Sequence, residues 1–146
     1  MFSQTTLIQA DTKEPVGPVY YSNREMMPLV GDRAVFAQRA YGASDAEDDV
    51  PEYKAVFAFS DLSVRQEGRY RLQIDLYEIV RGEVFHRASV QSLPFRTFTP
   101  KRFPGMQSST ETTAELKRNG IRMRYKKSIR INNKTKLDLQ AAVKLS

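Results

Sequence analysis

Ser60-Asp61, Ser63 and the single histidine, His86, are the residues of this chain whose types suit nucleophilic or acid–base chemistry. A hydroxyl nucleophile needs a base within hydrogen-bond reach. His86 sits in a strand-like stretch far along the chain from either serine, so no nucleophile–base pair can be read. One histidine also excludes a His-rich zinc centre and any mechanism that uses two imidazoles. The chain has no cysteine, which removes thiol catalysis, thiolate metal sites and disulfides, and suits the cytosol or nucleus. Gly68 and Gly105 stand singly at turns, not in a phosphate-cradling loop. Asp45, Glu47, Asp48, Asp49 and Glu52 crowd the segment 44–52, without the ligand spacing or fixed glycine of an EF-hand. That segment is expected to be a solvated loop, not a metal site or a buried carboxylate pair. No catalytic residue, metal or cofactor is expected, and no small-molecule substrate.

The remaining chemistry is charge. The formal net charge is +6, unevenly spread: residues 1–50 carry four Lys/Arg against eight Asp/Glu, while residues 101–146 carry twelve against three. Cations gathered in one third suit a face that meets a polyanion, or simply a solubilising surface. No apolar stretch approaches the ~18 residues of a membrane span, and residues 1–10 do not read as a signal peptide.

These groups must be positioned by strands. At 146 residues the chain is one domain by size. Tyr70, Leu72, Ile74 and Leu76 alternate with Arg69, Arg71, Gln73 and Asp75, predicting a half-buried antiparallel strand over 69–78. Tyr53–Phe59 and Glu83–Leu93 are two further strand candidates. Val80-Arg81-Gly82-Glu83 predicts a hairpin turn with glycine at positive φ. Ile121, Met123 and Tyr125 alternate with Arg122, Arg124 and Lys126, predicting a late strand with one cationic face. Thr112 to Glu115 has capping-box spacing, for a helix that Asn119-Gly120 stops near Arg118. Asp61 is expected to make an Asx-type turn. Arg65, Arg69 and Arg71 are expected to pair within the chain, with Asp61, Glu67 and Asp75.

Residues 56–72, VFAFSDLSVRQEGRYRL, resemble the signature of the velvet family of fungal regulators. A second match lies further on: Ser92-Leu93-Pro94-Phe95, then Phe103-Pro104-Gly105-Met106, Ser109-Thr110, Gly120 and the basic run Ile121-Arg122-Met123-Arg124. The two ordered motifs cover residues 53–130. The family's basic, proline-containing opening strand has no match; Met1–Gln9 resembles the segment that follows it. Either the sequence is short at its N-terminus or this member lacks that strand.

The resemblance implies an all-β, immunoglobulin-like antiparallel sandwich of the Rel-homology type with one or two short helices. It places a velvet-type domain at 1–131 and a C-terminal extension at 132–146. It further implies a transcription regulator of fungal development and secondary metabolism, in nucleus and cytoplasm, that dimerises with itself or another velvet protein and binds double-stranded DNA. The alternative is a dimerisation or scaffold subunit without its own DNA contacts.

On the DNA reading the candidate contacts are Arg96, Lys101, Arg102, Lys117, Arg118, Arg122, Arg124, Lys126 and Lys127, with Arg130 beyond them. Lysine and arginine neutralise phosphates, and arginine alone offers a planar fork to guanine. Lys101 and Arg102, on an expected loop, are favoured; Arg122, Arg124 and Lys126 also fit a solvated strand face. For a dimer interface the candidates are Phe95, Phe98, Phe103, Pro104 and Met106, an aromatic-rich run through a turn.

Overall fold

The computed structural model describes residues 1–41 and 53–124. Eleven strands run in order: β1 (Phe2–Gln9), β2 (Val19–Tyr21), β3 (Arg24–Met26), β4 (Leu29–Val30), β5 (Ala34–Phe36), β6 (Gln38–Tyr41), β7 (Tyr53–Val56), β8 (Ser63–Val64), β9 (Gly68–Val80), β10 (Glu83–Gln91) and β11 (Phe95–Thr97). One helix follows, α1 (Glu111–Arg118). Every strand pairing is antiparallel, so the described chain is all-β with one short helix.

The long strand β9 organises the main sheet. β1 takes one edge, Phe2 opposite Tyr77 through Gln9 opposite Tyr70. β10 and then β11 share the other edge, opposite residues 73–80 and 68–70 of β9. Ser92 bridges the gap between them: its amide donates to the Leu72 carbonyl and its hydroxyl accepts the Leu72 amide. Arg81 and Gly82, both at positive φ, form the β9–β10 turn, a geometry that matches strand twist.

The second layer is built from short pieces. Leu29 on β4 packs with Leu7 on β1 and Tyr70 on β9, and Val16, Leu62, Val64, Leu72 and Phe95 close around them. Because Leu7 and Leu72 are register partners, their side chains share one face of the sheet. Ser3 and Thr5 are buried on the same face, and their hydroxyls donate to the carbonyls of Asp75 and Gln73, so no polar group is stranded there. Tyr70 folds back over the start of its own strand; a Cβ on Gly68 would come within 2.7 Å of the ring. Burial pushes the Tyr70 phenol above its ordinary value of 10.0.

Several elements differ from expectation. The strand expected at 53–59 ends at Val56, and the one expected at 83–93 ends at Gln91, where Ser92 and Pro94 turn the chain. The helix is capped two residues earlier than the Thr112 spacing suggests. Thr110 is the N-cap, its hydroxyl accepting the Thr113 amide, and Thr112 lies inside the first turn. The C-terminal stop is as expected, with Gly120 at φ +82°. The Gly120 amide reaches the Lys117 carbonyl and the Ile121 amide reaches Leu116, a Schellman closure. Ile121 is therefore buried as the residue that seals a helix end, and residues 121–124 form no strand. Tyr125 and Lys126 of that expected strand lie outside the described residues, as do the acidic segment 44–52 and the extension 132–146.

Asp61 makes no local turn. Its Oδ1 accepts the amide of Asp32, 29 positions away, because β4 and β8 bring the two corners together.

Candidate nucleic-acid interface

The β4–β8 pair fixes one wall of a surface cleft. Gly31, at φ +107°, sits so close to the other corner that a Cβ would meet the Asp61 carbonyl oxygen at 2.6 Å. Only glycine suits both the backbone angle and that approach. Asp32, Ser60 and Asp61 line this wall; Arg122, Met123 and Arg124, leaving the sealed end of α1, line the other. The cleft has a volume of about 410 Å³. Among the described residues no ion pair joins either arginine to either aspartate, although all four groups share the space.

The structure separates the expected cations. Arg96 and Arg102 converge on one carboxylate, Glu67 Oε1, at 3.9 and 3.6 Å, and Arg96 also lies 5.2 Å from the Phe98 ring centroid. Arg118 pairs with Glu111 at 3.0 Å along the helix, and Lys117 is also engaged. Lys101 is exposed in the turn before Phe103. Arg122 and Arg124 are exposed at the cleft, while Lys126, Lys127 and Arg130 lie outside the described residues.

Two of the arginines expected to pair with carboxylates bind carbonyls instead. Arg71 donates through Nε to Ala10 and through Nη1 to Ser92, stitching the segments on either side of β9. Arg65 Nε donates to the Met27 carbonyl. Carbonyls at strand ends need donors, and a guanidinium reaches two at once.

The aromatic run also divides. Phe95 joins the core cluster, its ring 6.5 Å from Tyr70. Phe98 is half-buried against Phe103 at 6.5 Å, whereas Phe103 and Met106 are 48% and 63% exposed and Pro104 is exposed.

One polar cluster escapes sequence reasoning. His86 Nε2 lies 2.8 Å from Ser89 Oγ, and that hydroxyl donates to Asp75 Oδ1. Residues three apart on a regular strand face opposite ways; here the register shifts between His86 and Ala88, so both face Asp75's side. The odd spacing is the only signal the sequence carries. The same nitrogen faces both Ser89 and Asp75 (3.6 Å), and among the described residues no carboxylate pairs with the other ring nitrogen, where a nucleophilic triad places its orienting acid.

Comparison with known proteins decides the family. A family model described as velvet factor matches residues 5–129. The chain belongs to the velvet family. Among relatives of this velvet chain, the spore development regulator umv1 of Mycosarcoma maydis is 43% identical over 75 residues, 51% of the chain and 9% of that protein. The developmental and secondary metabolism regulator veA of Dothistroma septosporum is 33% identical over 104 residues, covering 59% and 17%. A probable velvet family sexual development regulator of Laccaria bicolor is 28% identical over 146 residues, covering 90% and 41%. The chain thus spans between 9% and 41% of the length of these relatives. These relatives are all named as regulators.

Proposed function

We propose that this velvet domain is a transcription regulator that contacts double-stranded DNA through the Arg122–Arg124 side. On this reading it pairs with itself or another velvet protein, acts in nucleus and cytoplasm, and serves the development and secondary metabolism that its relatives' names describe. The observation that carries the reading is the exposed pair Arg122 and Arg124. They lie free of ion pairs among the described residues, within the most basic third of the chain. Free guanidinia gain fully from displacing counterions at phosphates; Arg96, Arg102 and Arg118 must first leave a carboxylate.

A second reading has its own support. Phe103 and Met106 expose apolar surface beside the Glu67-bound arginines, which suits a pairing subunit whose partner supplies the DNA contacts. A band shift with the protein alone and with a second velvet domain separates the two. A shift of duplex DNA at low salt by the protein alone supports the first; a shift only with the partner supports the second. No shift in either mixture overturns both.

A further inference from the structure

The cleft between Asp32 and Arg122 holds an arrangement that phosphate binding does not explain. A surface meant only for phosphates gains from cations and loses from carboxylates, yet two aspartates and two arginines share these walls. Both walls are held in place. Gly31 and Asp61 lock one through backbone contact and the 3.0 Å hydrogen bond to the Asp32 amide. Buried Ile121 and the helix closure anchor the other. Side chains mounted on fixed elements discriminate between ligands better than mobile ones.

What fits is a ligand edge that presents acceptors and a donor side by side. In the major groove a G·C pair does this: guanine offers N7 and O6 to a guanidinium, and cytosine offers its N4 amine to a carboxylate. An A·T pair offers a guanidinium no such pair of adjacent acceptors on one base. We infer that the Asp32/Arg122/Arg124 cleft reads G·C pairs by their edges, an inference that rests on the reading of duplex DNA as the ligand. Arg122 or Arg124 binds guanine, and Asp32 accepts from cytosine. Asp61, committed to the Asp32 amide, positions that carboxylate. Adenine also carries an amine, at N6, so the carboxylate selects only together with a guanidinium: when an A·T amine meets Asp32, no base of that pair offers the arginine two adjacent acceptors.

Fluorescence anisotropy with the full chain and two 20-base-pair duplexes tests this, one of mixed-order G·C pairs and one of A·T pairs. The wild type is expected to prefer G·C by roughly 5- to 150-fold, the discrimination of one good bidentate contact. Asp32→Asn should shrink that preference several-fold while raising affinity for the A·T duplex, because it removes a charge that repels phosphate. Asp32→Ala should do the same, which guards against an effect peculiar to asparagine. Arg122→Gln with Arg124→Gln should abolish the preference. Tight but equal binding of both duplexes overturns the inference and leaves the DNA reading standing. Binding of neither at low salt overturns both. A G·C preference that survives in Asp32→Asn and Asp32→Ala also overturns it.

Discussion

Asp61 Oδ1 accepts the backbone amide of Asp32 at 3.0 Å, and this bond ties the strand that precedes Gly31 to the corner that precedes β8. It explains why a Ser-Asp corner lies where the family motif has it: the aspartate acts on a distant loop and not on its own turn. Gly31 completes the joint, since its φ of +107° and the 2.6 Å approach to the Asp61 carbonyl exclude any side chain.

Gly31→Ala should therefore destabilise the domain by about 2 kcal/mol or more, combining left-handed strain with a backbone clash. Asp61→Ala should cost about 1 kcal/mol, the net worth of a hydrogen bond to a charged acceptor in a partly solvated place. Asp61→Asn, which keeps the acceptor oxygen, should cost less than Asp61→Ala. Urea unfolding followed by circular dichroism measures all three.

Tyr70 supplies a pH signature. Its phenol is raised above 10.0 by burial, so the neutral form is favoured in the folded state. A group with a raised folded value contributes stability that is fully present below pH 10.0. That stability is lost as pH climbs through the folded value. Thermal melts should be insensitive to this group near neutrality and fall above about pH 10. Tyr70→Phe, which keeps the ring over Gly68, should show a shallower alkaline fall than the wild type.

Much of the architecture is legible because burial and local geometry agree. β9 reads cleanly: Tyr70, Leu72, Ile74 and Leu76 share the face that meets Leu7, and Arg81-Gly82 is the turn its hairpin needs. The stop of α1 at Asn119-Gly120 is equally local. What misleads is a pattern with two physical causes. Ile121 and Met123 alternate with arginines as a strand would, but Ile121 is buried to close a helix. Thr112-x-x-Glu115 has capping-box spacing, yet Thr110 caps with Thr113, whose hydroxyl lies 3.0 Å from its own. The cleft is hidden for a different reason. Asp32 lies 90 positions from Arg122, and only the β4–β8 pairing and the helix closure place them on one opening.

Glu67 tests where nucleic acid would lie. It holds Arg96 and Arg102, so Glu67→Gln releases two guanidinia. These pairs are exposed on the arginine side, and their loss should change stability by under about 1 kcal/mol. If DNA runs across the turn at Lys101 and Arg102 as well as the cleft, affinity for duplex DNA in a band shift should rise in Glu67→Gln. An unchanged affinity would confine the contact to the Arg122–Arg124 side.

The most direct test of the account is the salt dependence of duplex DNA binding by the wild type and by Arg122→Gln/Arg124→Gln. Each phosphate contact removed should flatten the slope of log affinity against log salt by roughly 0.9. The double variant should lose most of its affinity at low salt and roughly 0.9 of slope, from the arginine that meets phosphate and not guanine, with its thermal melt unchanged. Equal slopes and affinities for the two proteins, or no binding by the wild type at low salt, would contradict the account.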